Sequence, residues 1–338
     1  MRGKRASRET IENGLNRFLK EDLHLVLAFE KGDRGVALRV FKEKVEGLSL
    51  LNPVFSLNSA LYLRRLFAKG TRIILLLRPC EIRAYVELQK LSQIEREDII
   101  AVSMDCFGAV SSKGQTEDIP ADAEQLRQYL GNHADARLAC TTCRERRGVV
   151  GDAGLRMGAD GSLWAFAYTE RGEGFVSLLE GEAEEAADEM LIGDTPDAKA
   201  EPFHTDMAAF GRDFSKCILC KNCKAMCPVC YCIDCVFNGD DYLPKGDALL
   251  NKVFRGGSTD LPQGKELFHL IRMFHVSQTC VGCGACEEAC PQGIPLTKYF
   301  KGVSERLQTL FSYASGRSLD EAVPYVTFLE DELKDAED

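Results

Sequence analysis

Residues 280–291 of this chain, CVGCGACEEACP, place four cysteines at the spacing C-x2-C-x2-C-x3-C and follow the last one with a proline. Glycines between the first three cysteines let the backbone curl tightly, and the proline turns the chain away after the last thiol. Residues 217–228, CILCKNCKAMCP, repeat the same spacing. Two such runs indicate that the second part of the protein folds around metal, with little apolar core of its own.

The spacing matches that of bacterial ferredoxins, in which three close thiolates hold one [4Fe-4S] cluster and the fourth holds a second cluster. We therefore predict two crossed ligand sets. Cluster one takes Cys217, Cys220, Cys223 and Cys290, and cluster two takes Cys280, Cys283, Cys286 and Cys227. Zinc is the alternative, but four tetrahedral zinc ligands usually come as two separated pairs. Paired clusters without an open iron are typical of electron transfer, and a structural role is the other interpretation.

Four further cysteines precede residue 200, and we call them the early quartet: Cys80, Cys106, Cys140 and Cys143. The first two each follow a short apolar stretch that predicts a strand, at residues 72–77 and 99–104. If these strands are parallel neighbours, both thiols emerge at the carboxyl edge of the sheet, where α/β proteins collect ligands. The quartet has the right number of thiols for a third [4Fe-4S] cluster or a zinc ion, and unligated packing is the third interpretation.

The last three cysteines follow the first run and have no obvious fourth partner; we call them the trio: Cys230, Cys232 and Cys235. An additional cluster is one interpretation, with a ligand from the first part of the chain or with Asp234 or Asp240 as an oxygen ligand. Free cysteine also behaves as a small buried hydrophobic residue, so one or two of the three thiols could simply fill space. The sequence leaves both interpretations open.

Length and charge limit the function further. A chain of 338 residues suggests about two domains, and a formal net charge of −10 disfavours a nucleic-acid partner. No apolar run approaches the roughly 20 residues of a membrane helix, and the basic N-terminus lacks the apolar region of a signal peptide. We therefore expect a cytoplasmic protein without direct membrane insertion, whose fifteen cysteines stay reduced and available to metal.

Apolar periodicity divides the chain into an α/β first part and a cysteine-rich second part. The first part predicts helices and strands at residues 11–19, 23–29, 61–67, 72–77, 82–91, 99–104 and 123–130, with a closing hairpin from residues 162–168 and 175–179. The second part predicts helices at residues 265–276 and 296–311. The fold class is therefore α/β, followed by a two-cluster ferredoxin-like α+β domain. The expected boundaries are a first domain at 1–192, a linker at 193–207, a ferredoxin-like domain with an insertion at 208–312, and an acidic tail at 313–338 that forms a solvated helix or a docking strap.

Motifs for other chemistry are absent: G-x-G-x-x-G after a strand, G-x-x-x-x-G-K-[ST] and H-E-x-x-H do not occur. A hydrolase is therefore disfavoured. The helix predicted at residues 265–276 carries His269 and His275, which we expect to pack or to face solvent. Five arginines lie beside the early quartet in the sequence: Arg78, Arg83, Arg144, Arg146 and Arg147. Their default interpretation is solvated surface charge, although close approach to a cluster would raise its reduction potential.

Three stretches of the first part carry a resemblance to a known family: LRPCEIRA at residues 77–84, DCFG at residues 105–108 and CTTC at residues 140–143. Over about residues 20–190 the chain resembles the beta subunit of coenzyme F420 hydrogenases and formate dehydrogenases. The resemblance implies that the early quartet binds a [4Fe-4S] cluster beside FAD. It also implies a catalytic oxidoreductase partner and other iron–sulfur or flavin subunits, of formate dehydrogenase, hydrogenase or heterodisulfide reductase type.

Two features depart from the family pattern. The ferredoxin segment follows the beta-subunit region instead of preceding it, and the trio is added. No short fingerprint places FAD, so residues 1–192 carry it only as an implication of the resemblance.

The leading interpretation is an iron–sulfur electron-transfer subunit of a cytoplasmic anaerobic oxidoreductase complex, which conducts single electrons and has no catalytic residues of its own. The alternative is a catalytic, flavin-containing beta subunit that exchanges hydride with coenzyme F420 or NAD(P)H. A third interpretation treats the clusters as structural supports of a scaffold.

Overall fold

The computed structural model describes residues 2–32, 35–63, 70–95, 97–114, 119–120, 122–132, 136–186, 189–193, 203, 206–238, 246–257 and 264–328. Some expectations lie outside these residues: most of the linker, the end of the helix predicted at residues 61–67, Asp240, and residues 329–338 of the acidic tail.

All strands lie in the first part: β1 (Arg2–Ala6), β2 (His24–Gly32), β3 (Gly35–Phe41), β4 (Val54–Phe55), β5 (Arg72–Leu77), β6 (Ile99–Met104), β7 (Val110–Ser111), β8 (Ala153–Met157), β9 (Leu163–Ala167) and β10 (Ala183–Glu185), as far as the described residues go. The α-helices of this part are α1 (Arg8–Phe18), α2 (Ala60–Leu63), α3 (Pro79–Lys90), α4 (Ala123–Asn132), α5 (Leu138–Thr141) and α6 (Glu170–Ser177). The second part contains α7 (Met207–Phe214), α8 (Asn222–Ala225), α9 (Gly246–Gly256), α10 (Lys265–Val276), α11 (Ala285–Glu288) and α12 (Leu296–Leu310), with 3-10 turns at Val236–Asn238 and Pro324–Val326.

The first part is built on one eight-stranded sheet in the order β10-β1-β9-β8-β6-β5-β2-β3. The four inner strands β8, β6, β5 and β2 are parallel neighbours, whereas the outer strands pair antiparallel. Strand β5 reads RIILLL and is buried at every residue after the first, as expected for a parallel strand covered on both faces. Helices α3 and α6 pack against β6. The predicted α/β class is confirmed.

The hairpin predicted to close the sheet is wrong. Residues 163–167 do form a strand, β9, but it pairs with β8 and β1 instead of with residues 175–179. The following segment is α6, which begins where the Thr169 side chain accepts a hydrogen bond from the backbone N–H of Gly172. Phe175, which suggested a strand, is buried from the helix. The cap at Thr169 therefore favours a helix in this segment, although its apolar residues had suggested a strand.

In the second part, the described residues between 206 and 328 form helices and no strand, so the α+β expectation is met there only in its helical half. Its core contains aromatic and aliphatic side chains from α7, α10 and α12, and the buried thiols of Cys217, Cys223, Cys227 and Cys290 are part of it. Among the described residues, no helix is long and apolar enough to cross a membrane.

Buried polar contacts join the two parts. Arg83 Nε on α3 donates to the carbonyl oxygen of Ser315 at 2.7 Å. The hydroxyl of Tyr313, at the start of the predicted tail, donates to Glu87 Oε1 at 2.5 Å. Lys301 Nζ on α12 donates to the carbonyl oxygen of Thr142 at 2.7 Å. The start of the tail is therefore docked on α3, which favours a strap over a solvated helix.

We expect the two glycines of α6 to respond in opposite ways to alanine. A Cβ at Gly172 would collide with the carbonyl oxygen of Asp152, so Gly172→Ala should lower the free energy of unfolding by about 2 kcal/mol or more. A Cβ at Gly174 meets no atom within 4 Å, so Gly174→Ala should raise it by about 0.5–1 kcal/mol. Denaturant unfolding of both variants checks this. A stable Gly172→Ala protein would mean that α6 does not lie this close to the sheet.

Candidate cluster-binding site

The two cysteine runs adopt the same local backbone. The second residue after the first cysteine has a positive φ in both runs, 52° at Leu219 and 67° at Gly282. The fourth residue does so as well, with 62° at Lys221 and 68° at Gly284, and a short helix starts directly after it. Leucine and lysine rarely adopt this left-handed conformation, so the surrounding fold holds Leu219 and Lys221 in it. The sequence repeat is therefore also a structural repeat.

The thiols predicted for cluster one line a single cavity: Cys217, Cys220, Cys223 and Cys290. Burial raises the pKa of the Cys223 thiol, the nearby Arg272 guanidinium opposes the rise, and the three neighbouring thiols add to it. The structure thus brings the last cysteine of the second run to the first three of the first run. This is the crossed arrangement that the spacing predicts.

The thiols predicted for cluster two also lie together. Cys227, from the first run, is buried, and Cys280 and Cys286 of the second run are close enough to raise its pKa beyond the effect of burial. Burial also raises the pKa of Cys286, with Cys280 and Cys283 among its neighbours. A free thiol here is therefore neutral, and bound iron is what would favour the thiolate.

The early quartet assembles at the carboxyl edge of the sheet. Strands β5 and β6 are parallel, with Leu77 opposite Ser103, so Cys80 and Cys106 follow adjacent strand ends. Burial raises the pKa of the Cys106 thiol to about 12, and Cys140 and Cys143 are among its neighbours. The loop that carries these two thiols is attached to α12 through the Lys301 contact. The geometry expected from the two strands is therefore present.

The surroundings of one buried arginine indicate whether the ferredoxin-like thiols are suited to hold an anionic cluster. Arg272 on α10 is only 1% exposed, and its Nη1 lies 3.1 Å from Cys223 Sγ. Its Nη2 donates to the Cys223 carbonyl oxygen at 3.1 Å, and the guanidinium lies 4.6 Å from the Phe300 ring centroid. Within the described residues no carboxylate pairs with it. A buried guanidinium without a counter-ion is unfavourable, so two clusters held by thiolates suit this position.

A second buried arginine stands where the early quartet meets cluster two. Arg137 Nη2 donates to the Cys283 carbonyl oxygen at 3.0 Å, and its Nη1 lies 3.7 Å from Cys140 Sγ. Its guanidinium carbon lies 3.7 Å from the Phe55 ring centroid. The side chain also pairs with Glu288, Nε to Oε2, at 3.5 Å. Arg137 therefore lies between the early quartet and the cluster-two cysteines and contacts one cysteine of each set.

Neither arginine was predicted from the sequence, and the surface position expected for others is wrong. Arg78 and Arg83 are 4% and 6% exposed, so neither is a solvated surface residue. Arg78 is close enough to lower the pKa of the Cys106 thiol, against the dominant effect of burial, whereas Arg83 reaches the second part of the chain. Arg146 Nη2 donates to the carbonyl oxygen of Cys140 at 2.6 Å. Arg144 is exposed, as expected.

His269 is buried as a packing residue, as expected, and it also contacts a predicted ligand. The centroid of its ring lies 4.2 Å from that of Phe214, with the two ring planes tilted by 45°, and its Nε2 lies 3.3 Å from Cys217 Sγ. Burial lowers its pKa to about 3, so the ring is neutral and can donate one N–H to the sulfur. His275 is exposed.

The trio is only partly enclosed. Cys232 and Cys235 are both near enough to raise the pKa of the Cys230 thiol, which burial already raises, but Cys232 itself is exposed. Among the described residues, no three His, Cys, Asp or Glu side chains lie close enough to hold a single metal ion. A fourth ligand for the trio is not identified there, and Asp234 is exposed.

We expect Arg272→Met to lower the reduction potential of the ferredoxin-like clusters by about 60 mV or more, the one-electron equivalent of about 1.4 kcal/mol. Loss of the buried positive charge disfavours the more negative, reduced clusters. An electron-paramagnetic-resonance redox titration measures the shift. Arg272→Lys, which keeps the charge, should show a smaller shift, and Arg8→Met, on the exposed side of α1, should show none. An unchanged reduction potential in Arg272→Met would show that the charge of this arginine does not influence the clusters.

Comparisons with known proteins agree with this geometry. The model of a 4Fe-4S dicluster domain family matches residues 213–294. The F420-dependent formate dehydrogenase subunit beta of Methanocaldococcus jannaschii is 22% identical over 294 residues, which cover 73% of this chain and 74% of the relative. The F420-dependent formate dehydrogenase 1 subunit beta of Methanococcus maripaludis is 26% identical over 310 residues, 76% of either chain.

Among solved structures, one of the F420-reducing [NiFe] hydrogenase complex from Methanosarcina barkeri aligns with 14% identity and a TM-score of 0.35, over 52% of this chain and 76% of that one. The curated relatives confirm the resemblance carried by the three early motifs. The chain is a relative of the F420-dependent formate dehydrogenase beta subunits that carries a 4Fe-4S dicluster domain in its second part.

Proposed function

We propose that this chain is an electron-transfer subunit of a cytoplasmic oxidoreductase complex and relays single electrons through three [4Fe-4S] clusters. The observation that carries the proposal is that the three sets of cysteines lie next to one another in a row. The early quartet adjoins cluster two, and cluster two adjoins cluster one. The twelve thiols leave no iron open to a substrate if each cluster takes four of them, which favours conduction over catalysis.

Contacts between the thiol groups support this order. Burial is the main cause that raises the pKa of the Cys80 thiol, and Cys283 of the second run is among the neighbours that add to it. Asn58 lies between the two, because its Nδ2 donates to the Cys80 carbonyl oxygen at 3.3 Å and its side chain hydrogen-bonds the Cys283 thiol. On the other side, Cys223 of cluster one is a neighbour of Cys286 of cluster two.

The relatives favour a catalytic partner of formate dehydrogenase type, because both curated proteins are named as beta subunits of such an enzyme. Hydrogenase and heterodisulfide reductase types are the alternatives. In each case the chain would pass electrons between the partner's catalytic centre and another redox centre of the complex.

Iron content tests the number of clusters. The anaerobically purified chain should hold about twelve irons, at four per cluster, and Cys140→Ala should reduce this to about eight. Cys232→Ala is the matched control, because an exposed thiol outside the three sets should leave about twelve. About sixteen irons in the wild type, with about twelve in Cys232→Ala, would indicate instead that the trio binds an additional cluster. Zinc in place of iron would contradict the proposal.

A flavin-containing catalytic subunit is the second candidate, and one cavity favours it. The cavity has a volume of about 500 Å³, lies over β2 and β3, and is lined by Phe29, Tyr62 and Arg78 among others. This volume is within the range of small-molecule sites. Arg78 Nε is buried and has no hydrogen-bond partner in the described structure, so it could donate to a ligand. Cys80 of the early quartet is two residues away, which would place bound FAD beside a cluster.

Flavin release tests the cavity. If it holds FAD, acid denaturation of the wild type should release about one flavin per chain, and Val36→Trp should lower that amount by at least half because the indole fills the cavity. Val253→Trp, on the partly exposed side of α9, should release the wild-type amount. Absence of flavin from the fully iron-loaded wild type would contradict the flavin-containing subunit and would leave electron transfer through the clusters as the proposed function.

A further inference from the structure

Cluster one is the proposed cluster that has an exposed ligand. Of the twelve thiols assigned to the three clusters, Cys220 is the only one classed as exposed, whereas Cys217, Cys223 and Cys290 of the same set are buried. The cavity lined by these four thiols is bordered by Ile218, which is 41% exposed, and by Pro291. The exposed Cys220 thiol therefore offers a place where an electron could enter or leave the chain.

Four lysines lie close in sequence to the cluster-one cysteines or at the start of α10, and we call them the basic rim: Lys216, Lys221, Lys224 and Lys265. Lys221 lines the same cavity as Cys220, and Lys265 is close enough to oppose the rise that burial causes in the pKa of Cys217. Lys216 is exposed and directly precedes Cys217. Lys221 and Lys265 are therefore close to the cavity, and Lys224 is a neighbour of Lys221.

The charge of the basic rim is not neutralised by partners in the described part of the chain. Lys221 Nζ donates to the carbonyl oxygen of Phe237, Lys224 Nζ to Asn238 Oδ1 at 2.9 Å, and Lys265 Nζ to the carbonyl oxygen of Ser215 at 2.5 Å. These acceptors are all uncharged. The nearest acidic residues in sequence are Asp213 and Glu266, and Asp213 is taken up by Tyr299, whose hydroxyl donates to it at 2.5 Å.

This concentration of positive charge contrasts with the rest of the molecule. Residues 212–224 hold four basic residues and one acidic residue, although the whole chain carries a net charge of −10. A local field of one sign around a redox centre attracts partners of the opposite sign and speeds their encounter. Among the apolar residues that line this cavity, Ile218 and Pro291 are exposed, whereas Phe268, Ile294 and Leu296 are buried. This small exposed apolar area suits a transient electron-transfer contact better than a permanent interface.

We propose that the basic rim docks an acidic electron-carrier protein of ferredoxin type onto cluster one. The inference rests on the proposed electron-transfer function. In the exchange, the reduced carrier loses one electron and is oxidised, and the cluster held by Cys220 and its three partners gains that electron. No bond forms or breaks and no proton is transferred.

The test uses the full-length, iron-loaded chain and an acidic two-[4Fe-4S] ferredoxin as the probe. Its first readout is binding, measured by isothermal titration calorimetry at several salt concentrations. The variant is Lys216→Glu/Lys265→Glu, and the second change places an acidic side chain at the start of α10, where it suits the helix dipole. The matched control is Lys20→Glu/Lys42→Glu, which changes the net charge equally at exposed positions of the first part.

We expect the wild-type dissociation constant to rise with salt, because screening weakens exposed charge pairs. At low salt the rim variant should bind at least about tenfold more weakly, whereas the control should bind like the wild type. Equal binding by the wild type and the rim variant, no binding by either, no response to salt, or an equal loss in the control would each overturn the docking site.

Reduction by methyl viologen in its one-electron-reduced form, which returns to the dication as it donates its electron, separates this inference from the proposed function. The small cationic donor needs no docking site, so it should reduce the clusters of the wild type and of both variants. If it does while the binding results fail, the chain is a conduit without this docking site. If methyl viologen reduces no cluster in the wild type, the conduit function itself fails.

Discussion

Buried positive charge is the constraint on which the site depends. Arg272 and Arg137 are enclosed by protein, and each donates an Nη2 hydrogen bond to the backbone carbonyl of a cysteine in a ferredoxin run. Burial raises the pKa of the surrounding thiols, so without metal those thiols are neutral. Arg272 then has no counter-ion among the described residues, whereas Arg137 is paired with Glu288 at 3.5 Å. Iron would convert the thiols to thiolates and supply the missing negative charge. Loading with clusters and the stability of the second part are therefore coupled.

The same balance explains why the thiol groups lie so close together. Arg272 is influenced by thiols of both ferredoxin sets, and Arg137 by thiols of the early quartet and of the second run. If the proposed clusters are bound, each arginine would therefore lie between two neighbouring anions and weaken their mutual repulsion. Reduction adds further negative charge to each cluster, so a shared cation would also make reduction more favourable.

The sequence was most informative where one dominant pattern ran through a whole element. The strand predicted at residues 72–77 and the helix predicted at residues 265–276 both occur with the predicted ends. Strand β1 was not predicted, because a short basic segment becomes a strand only by pairing with β9 and β10. Strand β3 was also missed, although its alternating Val36, Leu38 and Val40 carried a period-two signal.

For the site, spacing predicted the two ferredoxin sets, whereas the ends of two predicted strands and the family resemblance predicted the early quartet. The structure places the three sets as expected, while their ligation stays a prediction. The arginines show why the rest was out of reach. Arg83 is three residues from Cys80 in sequence but reaches the tail, whereas Arg272 is 49 residues from Cys223 and lies 3.1 Å from its sulfur. Burial of a single charged side chain is a property of the tertiary fold, and no local pattern in the sequence reports it.

Chain order matters less to this architecture than the contacts at the junction. The ferredoxin segment follows the beta-subunit region, yet Lys301 on α12 still holds the loop of Cys140 and Cys143 through Thr142. Glu288, inside the second run, accepts hydrogen bonds from the hydroxyls of Ser111, the last residue of β7, and of Ser112 directly after it. These contacts fix the early quartet against cluster two from both sides. A ferredoxin segment attached at either end of the sheet could make them, provided that its second run faces the carboxyl edge.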